Sequence, residues 1–286
     1  MINKSTFVAI LTYNEESNIS NCIDSILHCS FEDIYIFDGG STDRTIEIAK
    51  DKKVFIDIIH NSSISERRGL ALKHAIANNF EFILFVDADQ RLLDPDTLTK
   101  IEKIFIDEIL LAGVQLNLVK PREDIKLNYW QQGFYSRHSL ITTNFGPKVV
   151  IGTPCFFRIK IVKDFQYNVG KILGPSDDTF FGKQITSAGF SLKSVDIECT
   201  EIVRARLSST IKKAYWYGIG DAEYIINENS NKNIRNHLYH VIIRNPLINP
   251  FRNSNKLFLF YLIFGFSRLY GFLYYYILRP KKYITK

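Results

Sequence analysis

The chain has 286 residues, of which 46% are hydrophobic and 23% charged, and its net charge is +6 at pH 7. This length suffices for one α/β domain with an appendage, and the composition excludes intrinsic disorder as the default state. The four cysteines form no C-x-x-C pair and no metal-finger spacing. That pattern favours reduced, buried thiols in a cytosolic protein over a disulfide framework.

The positive charge is concentrated at one end of the chain. Residues Ser230 to Lys286 contain ten Lys or Arg and no Asp or Glu, whereas the rest of the chain is mildly acidic. This tail predicts an anionic partner, either a membrane leaflet or nucleic acid. A nucleic-acid-binding domain would carry Lys and Arg across its folded surface, so the acidic remainder favours the membrane. The apolar run Phe7–Leu11 is too short for a signal peptide, which predicts a cytoplasmic protein.

The first hundred residues alternate short apolar runs with helix-like patterns. The apolar runs are Phe7–Thr12, Ile34–Phe37, Phe55–Ile59 and Phe82–Val86, and the helical patterns between them are Glu15–Leu27, Thr42–Lys50 and Ser65–Asn78. Strands that alternate with helices of this length form right-handed βαβ units. We therefore predict an α/β fold with a mainly parallel sheet flanked by helices.

The regular alternation stops after Leu118. The segment Lys120–Phe157 is rich in Gly, Pro and aromatic residues, and we predict an irregular segment that covers the ligand edge of the sheet. Beyond it, the pattern predicts a helix over Ser176–Ala188, a strand over Ser191–Val195 and a helix from about Ser209 to Asn227.

Leu257–Leu278 is a long apolar segment with ten Phe or Tyr and one charge, Arg268. Its length is sufficient to span a bilayer. An arginine near the middle would cost about 2.5 to 3.5 kcal/mol on insertion scales, and basic residues flank both ends, which opposes a simple span. Three interpretations therefore stay open: a helix lying in the membrane interface, a true span, and a helix packed on the protein itself.

Two carboxylates directly follow the apolar run Phe82–Val86. They belong to Asp87 and Asp89, which are separated by Ala88. Ligands of open α/β sheets bind beyond the carboxyl ends of the strands, and carboxylate oxygens suit Mg²⁺ or Mn²⁺. The sequence therefore predicts a cation and a phosphate at this edge.

Other candidate ligand-binding residues follow neighbouring strands. Asp38 opens the glycine turn Asp38–Asp43 and could accept hydrogen bonds from a ribose or a base, while Tyr13 could stack on a base. Arg67 and Arg68, at the start of a helix, could each meet a phosphate. The alternatives are a glycine turn that caps a helix, a rim aromatic and two solvated charges.

Asp177 and Asp178 lie at the predicted start of a later helix. Acidic side chains in a first helical turn are stabilised by the helix dipole, which is one explanation for the pair. The other is a general base that faces the ligand edge.

Four segments, taken in order, resemble family 2 glycosyltransferases of the GT-A fold: Ile10–Glu15, Asp38–Asp43, Phe85–Asp89 and Asp177-Asp178. The resemblance covers about Phe7 to Tyr224 and implies a Rossmann-like nucleotide-diphospho-sugar transferase that inverts the anomeric configuration. By matching position, it implies that Asp178 is the catalytic base with Asp177 as a supporting acid, and that Asp89 holds Mg²⁺ or Mn²⁺. It also implies a donor-nucleotide site formed by Thr12, Tyr13, Glu15, Asp38, Arg68, Asp87 and Ala88.

The chain departs from the family pattern in four respects. Ala205 or Arg206 stands where related chains often have a His after the next strand. Gly39 stands where many members have a second aspartate that reads the base, so the choice of nucleobase stays open. Asp177 replaces the usual Glu. A Q-x-x-R-W signature is absent, which argues against processive polymerisation.

These features together predict transfer of a sugar from a nucleotide-diphosphate donor to a lipid-linked glycan, in the synthesis of a cell-surface polysaccharide or glycolipid. Residues 1–205 would form the catalytic domain. Residues 206–286 would form a helical, basic and aromatic region that holds the enzyme at the inner face of the plasma membrane, as a peripheral or monotopic protein.

Two other functions are considered. A sugar nucleotidyltransferase would need a basic, Gly-rich loop near its N-terminus, and Tyr13–Glu16 is acidic. An inactive membrane-binding protein would have no need of its aspartates, yet Asp38, Asp87, Asp89 and Asp178 are all present.

Overall fold

The computed structural model describes residues 6–119, 126–144, 152–167, 177–203, 205–227, 231–252 and 255–278. The chain divides into two compact units, and each is described by itself. The first draws its described residues from Met1–Pro121, Phe145–Val169 and Asp177–Ile202. The second draws them from Arg122–Asn144 and Val203–Lys286.

The first unit contains eight described strands and six described helices. The strands are β1 Thr6–Thr12, β2 Ile34–Asp38, β3 Phe55–Ile58, β4 Phe82–Asp87, β5 Gln90–Leu92, β6 Leu111–Val119, β7 Cys155–Arg158 and β8 Ser191–Glu201. The helices are α1 Ile19–His28, α2 Thr45–Asp51, α3 Ile64–Ala77, α4 Thr97–Asp107, α6 Ile159–Val162 and α7 Asp177–Ser187, with α5 in the second unit.

The strands form one mixed sheet in the order β3-β2-β1-β4-β7-β6-β8-β5. Strands β3, β2, β1 and β4 are parallel, whereas β7 pairs antiparallel with both β4 and β6. Every residue of β1 is buried, as expected for a central strand covered on both faces. The predicted α/β class with helices flanking the sheet is confirmed.

Helices cover both faces of this sheet because each presents an apolar side to it. On one face, α1 packs Ile19, Ile23 and Ile26 into the same cluster as Val8, Ile10, Leu84 and Val86. On the other, α3 contributes Ala71, Leu72 and Ala75 beside Phe7, Ala9, Ile83 and Phe85. Alternate residues of β1 and β4 thus enter opposite clusters, which follows from the two-residue period of a strand.

The apolar runs predicted the parallel strands to within about two residues, but one sequence prediction was wrong. The segment predicted to be irregular, Lys120–Phe157, contains helix α5 at Tyr129–Asn144 and strand β7. Helix α5 buries Phe134 and Tyr135 against Phe260, Tyr261 and Phe264. Because these partners lie more than a hundred residues away in the chain, the local pattern could not reveal them.

The second unit is helical in its described part. After α5 it contains α8 Leu207–Asn227, α9 Asn231–Leu238, a π-helical stretch Tyr239–Ile248, α10 Asn249–Arg252, a 3₁₀ turn Asn255–Leu257 and α11 Phe258–Leu278. Helices α8 and α11 approach backbone to backbone at two glycines. A Cβ at Gly218 would lie 2.0 Å from the Arg268 carbonyl oxygen, and one at Gly271 would lie 2.1 Å from that of Tyr215.

A buried ion pair joins the same two helices. Arg268 of α11 donates from Nε to Asp221 Oδ2 at 2.5 Å and from Nη2 to Asp221 Oδ1 at 2.7 Å. His237 Nε2 lies 2.9 Å from Asp221 Oδ1. Burial opposes ionisation of Asp221, but Arg268 and His237 outweigh that effect and lower its pKa to about 2. Arg268, the single charge in the apolar segment, is therefore neutralised by Asp221 of α8, which belongs to the same unit.

Helix α11 also presents an exposed apolar face. By length and composition, Phe258–Ile277 could cross a membrane, although the core helix of a soluble protein can meet the same criteria. Its exposed apolar residues recur at intervals of seven, four, three and four along one face: Leu259, Phe266, Tyr270, Leu273 and Ile277. We call this set the α11 stripe.

Candidate active site

The carboxyl ends of β1, β2 and β4 bring three predicted site residues to one edge of the sheet. In the strand register, Thr12 is opposite Asp38 and Leu11 is opposite Asp87. Parallel strands end on the same side, so the side chains that follow them converge there. This edge positions the site.

Asp38 stabilises the turn that follows β2. Its Oδ1 accepts hydrogen bonds from the backbone N–H groups of Gly40 and Ser41 at 2.8 and 2.6 Å, and its Oδ2 accepts one from Ser41 Oγ at 2.5 Å. The side chain is fully buried, with 0% exposure. The Asp38 carboxylate is therefore occupied by hydrogen bonds from its own turn.

The loop after β1 is fixed against this turn. The backbone N–H of Asn14 donates to Ser41 Oγ at 2.8 Å, and that of Glu15 donates to Thr45 Oγ1 at 2.7 Å. Glu15 Oε2 accepts from Asn18 Nδ2 at 2.8 Å. Tyr13 projects from this fixed loop with 56% of its surface exposed, as an available stacking surface requires.

The Asp87-Ala88-Asp89 segment leaves one buried oxygen without a hydrogen bond. Asp87 Oδ2 accepts from Thr153 Oγ1 at 2.5 Å, while Asp87 Oδ1 is buried and has no hydrogen-bond partner among the described residues. Ala88 is buried and its N–H donates to the Leu11 carbonyl at 3.1 Å. Asp89 is half-buried next to it.

These oxygens fit a divalent cation of the Mg²⁺ type. Asp87 Oδ1 has a charge partner, Arg68 Nη2 at 3.7 Å, but no hydrogen bond, and hard cations prefer such oxygen ligands. The described residues contain no group of three or more His, Cys, Asp or Glu that could hold a metal. Nucleotide oxygens and water would have to supply the rest of the coordination shell, as is usual for Mg²⁺.

Arg68 joins β4 to the start of α7. Its Nη1 donates to both carboxylate oxygens of Asp177 at 2.9 Å, and its Nη2 lies 3.7 Å from Asp87 Oδ1. Arg68 and Asp177 are both buried. Although burial disfavours the charge, Asp177 and Asp87 raise the pKa of Arg68 above its ordinary value. The guanidinium thus faces two carboxylates from distant parts of the chain.

Asp178 follows Asp177 in the first turn of α7 and is half-buried. Its Oδ1 accepts hydrogen bonds from the N–H and Oγ1 of Thr179 at 2.6 and 3.2 Å. Burial, and then the adjacent Asp177 carboxylate, raise the pKa of Asp178 to about 7, against the opposing charge of Arg68. A carboxyl group tuned to neutral pH can take up and release a proton under physiological conditions.

The structure brings together most of the residues singled out in the sequence, and it adds two. Arg68, Asp87, Asp177 and Asp178 belong to one cluster, and Thr12 and Asp38 lie at the same strand edge. The added residues are Thr153, which binds Asp87, and Gln90, which donates to the Thr153 carbonyl at 2.9 Å and accepts from the Asp87 N–H at 3.0 Å. The position of Gln90 directly after the Asp87-Ala88-Asp89 segment was the available signal for the second.

Comparison with known proteins places this site in a family. The family model described as glycosyl transferase family 2 matches residues 7–165, which is more than half of the chain. The chain belongs to glycosyl transferase family 2. Glycosyltransferase AglJ of Haloferax volcanii is 29% identical over 96 residues, a match that spans 30% of each chain.

Two solved structures share the fold. S. aureus TarS 1–349 has a TM-score of 0.51 and 17% identity, over 96% of this chain and 82% of its own. Glucosyl-3-phosphoglycerate synthase from Mycobacterium tuberculosis, in complex with Mg²⁺ and uridine-diphosphate, has a TM-score of 0.50 and 16% identity, over 71% of this chain and 72% of its own. These family 2 neighbours have the GT-A fold, as predicted for this chain.

Proposed function

We propose that this family 2 glycosyltransferase moves a sugar, with inversion, from a nucleotide-diphosphate donor to a hydroxyl of a lipid-linked glycan. The observation that carries the proposal is the cluster in which Arg68 faces both Asp87 of β4 and Asp177 of α7, with Asp178 beside it. The guanidinium of Arg68 thus faces carboxylates of β4 and of α7. These are the two chain segments that a donor and an acceptor would approach.

Asp178 is the proposed general base. As the acceptor oxygen forms a bond to the anomeric carbon, the bond from that carbon to the diphosphate oxygen breaks. Asp178 takes the hydroxyl proton, and the nucleoside diphosphate leaves with the bonding electron pair. The transition state has oxocarbenium character, as in other glycosyl transfers. Asp177 stays paired with Arg68 and fixes the first turn of α7.

In this proposal Thr12, Tyr13, Glu15, Asp38, Arg68, Asp87 and Ala88 form or support the donor-nucleotide site. Asp89 is the proposed ligand of Mg²⁺ or Mn²⁺, together with the unbonded Oδ1 of Asp87. When bound, such an ion neutralises charge on the departing diphosphate. The synthase with the shared fold is in complex with Mg²⁺ and uridine-diphosphate, which supports this class of donor.

The experiment is a transfer assay with a panel of nucleotide-diphosphate sugars and Mg²⁺ or Mn²⁺, using lipid-linked glycan acceptors. Asp178→Asn and Asp89→Ala should each lower transfer at least a hundredfold, because general acid-base catalysis alone contributes about 10² to 10⁴-fold. The exposed Asp107→Asn is the matched control and should be fully active. Near-normal transfer by either site variant would remove its assigned role.

We also infer that residues 206–286 hold the enzyme at the inner face of the plasma membrane, while residues 1–205 carry out transfer. The α11 stripe contains no charged residue, and residues 230–286 contain ten basic and no acidic residues. An anionic leaflet complements that charge, and an interfacial helix buries one apolar face while its other face stays with the protein. No nucleic-acid partner is proposed.

Vesicle sedimentation tests the membrane proposal. Phe266→Ser combined with Ile277→Ser should reduce binding to phosphatidylglycerol-containing vesicles at least tenfold, because it removes two exposed apolar side chains from the stripe. Ile106→Ser combined with Ile109→Ser removes similar exposed residues from the first unit and should leave binding intact. Equal losses in both double variants would contradict the assignment of the contact to α11.

A further inference from the structure

The glycine turn after β2 accommodates the side chain of Arg67. A Cβ at Gly39 would lie 2.5 Å from Arg67 Nη1 and 3.3 Å from Tyr13 Cδ2. Any side chain at position 39 would therefore overlap the guanidinium. Gly39 is the residue that allows Arg67 and the Tyr13 ring to lie side by side at the nucleotide edge.

The Arg67 guanidinium forms hydrogen bonds through only one of its nitrogens, Nη1, among the described residues. Its Nη1 donates to the carbonyl and hydroxyl oxygens of Ser62 at 2.8 and 3.2 Å. The side chain is 7% exposed, yet its buried Nε has no hydrogen-bond partner among the described residues, and within them no bond is formed by Nη2 either. A buried donor without a partner is costly, so Nε, with Nη2 beside it, is suited to a ligand.

The carboxylate of Asp38 is not a free acceptor at this place. Asp38 is adjacent in the chain, but its carboxylate is fully buried and already accepts three hydrogen bonds from Gly40 and Ser41. The unbonded edge of the Arg67 guanidinium, whose Nη1 lies next to the Gly39 turn, is a fork of donors formed by Nε and Nη2. Such a fork matches two neighbouring acceptor atoms in a plane.

We propose that Arg67 selects the nucleobase of the donor, and that this base is guanine or cytosine. Guanine presents O6 and N7 as adjacent acceptors, which is the edge that arginine binds with two hydrogen bonds. Cytosine presents N3 and O2. Uracil and thymine place an N–H between their two carbonyls, and adenine places an amino group beside N7, so neither matches two donors. This inference rests on the proposed nucleotide-diphosphate donor.

Calorimetric titration with the nucleoside diphosphates of guanine, cytosine, uracil, thymine and adenine, in the presence of Mg²⁺, tests the proposal. The wild-type chain should bind the guanine or the cytosine nucleotide about tenfold or more tightly than the last three, since only those two bases offer both acceptors of a bidentate pair. Arg67→Lys keeps the positive charge and loses the fork, and it should reduce this preference to less than threefold. Gly39→Asp places a carboxylate against the guanidinium and should have the same effect. The exposed Arg44→Gln is the matched control.

Inorganic pyrophosphate distinguishes a base from a phosphate as the partner of the fork. Its affinity should change less than twofold in Arg67→Lys. An equal loss for pyrophosphate and for the preferred nucleotide would overturn the proposal, as would tightest binding of the uracil, thymine or adenine nucleotide. So would a preference for guanine or cytosine that persists in both variants. Binding of no nucleoside diphosphate at all would overturn the donor class itself, and this inference with it.

Discussion

Arg68 donates two hydrogen bonds of 2.9 Å to the carboxylate of Asp177, a residue 109 positions later in the chain. This pair fixes the first turn of α7 against the edge of the sheet. It also places a cation near Asp178, which opposes the effects that raise the pKa of that residue. The pKa of Asp178 is therefore set by burial and by the Asp177–Arg68 pair.

The rate of transfer should rise with pH through about 7. The pKa of Asp178 is raised to about 7, and a general base acts only in its deprotonated form. Below that value, kcat/KM should fall about tenfold per pH unit. Initial rates measured from pH 5 to 9 test this. The residual activity of Asp178→Asn should not fall in this way below pH 7. A wild-type rate that stays constant down to pH 5 would argue that another group is the base.

The Asp178→Asn variant should be more stable than the wild-type chain at alkaline pH. A carboxyl group whose folded pKa lies above its unfolded value of about 3.9 loses stability as pH rises from about 4 to about 7. Asparagine does not titrate. The free energy of unfolding of the variant should therefore exceed that of the wild-type chain by on the order of 2 kcal/mol at pH 8, and should equal it near pH 4. Hydrogen exchange of β4 amides in the two proteins measures the difference. Equal protection at pH 8 would contradict it.

Loss of Asp221 should destabilise the second unit selectively. Removing one partner of a buried ion pair costs about 3 to 5 kcal/mol, so Asp221→Ala should unfold this unit at lower urea concentration. In the wild-type chain, Asp221 makes its full contribution to the free energy of unfolding above a pH of about 4. This contribution is lost as pH falls towards 2, because the pKa of Asp221 in the folded state is depressed.

Tryptophan fluorescence reports this change directly. The chain has two tryptophans, Trp130 and Trp216, and both belong to the second unit. The double variant Asp221→Leu with Arg268→Met should recover most of the lost stability, because a well-packed apolar pair can replace a buried ion pair at little cost. If the double variant lost as much stability as the two single substitutions together, Asp221 and Arg268 would not act as a pair.

Alanine substitutions at two helical glycines should have effects of opposite sign. Gly218 lies in α8 against the α11 backbone, so its replacement by Ala should lower stability by about 2 kcal/mol or more through overpacking. Gly69 lies in α3, and a Cβ there meets nothing within 4 Å. Gly69→Ala should raise stability by about 0.5 to 1 kcal/mol through helix propensity. Urea midpoints of both variants provide the test, and an unchanged or raised midpoint for Gly218→Ala would refute the close approach of α8 and α11.

Much of the first unit was predictable because its elements are locally encoded. The runs Phe82–Val86 and Phe7–Leu11 are apolar throughout, as central strands require, and Ser63 with Glu66 forms the capping box that starts α3. Helix α5 was not predictable, since its apolar partners Phe260 and Phe264 lie far along the chain.

The candidate site shows the same limit. The sequence places Arg67 and Arg68 side by side, and either one could meet a ligand or solvent. The fold separates them: Arg68 is committed to Asp177, while Arg67 lies beneath the glycine turn with a free pair of donors. Adjacent helical residues differ in direction by about 100°, so only the tertiary partners reveal which role each one has.

The seating of α11 against α8 also determines how the C-terminal part of the chain can be studied. A truncation before Phe258 would leave Gly218 facing solvent, the Asp221 carboxylate without Arg268, and the aromatic side chains of α5 uncovered. A shortened protein that failed to bind vesicles would then be reporting a damaged helical unit and not a lost anchor. Substitutions on the outward side of α11 separate these two outcomes, whereas deletion confounds them.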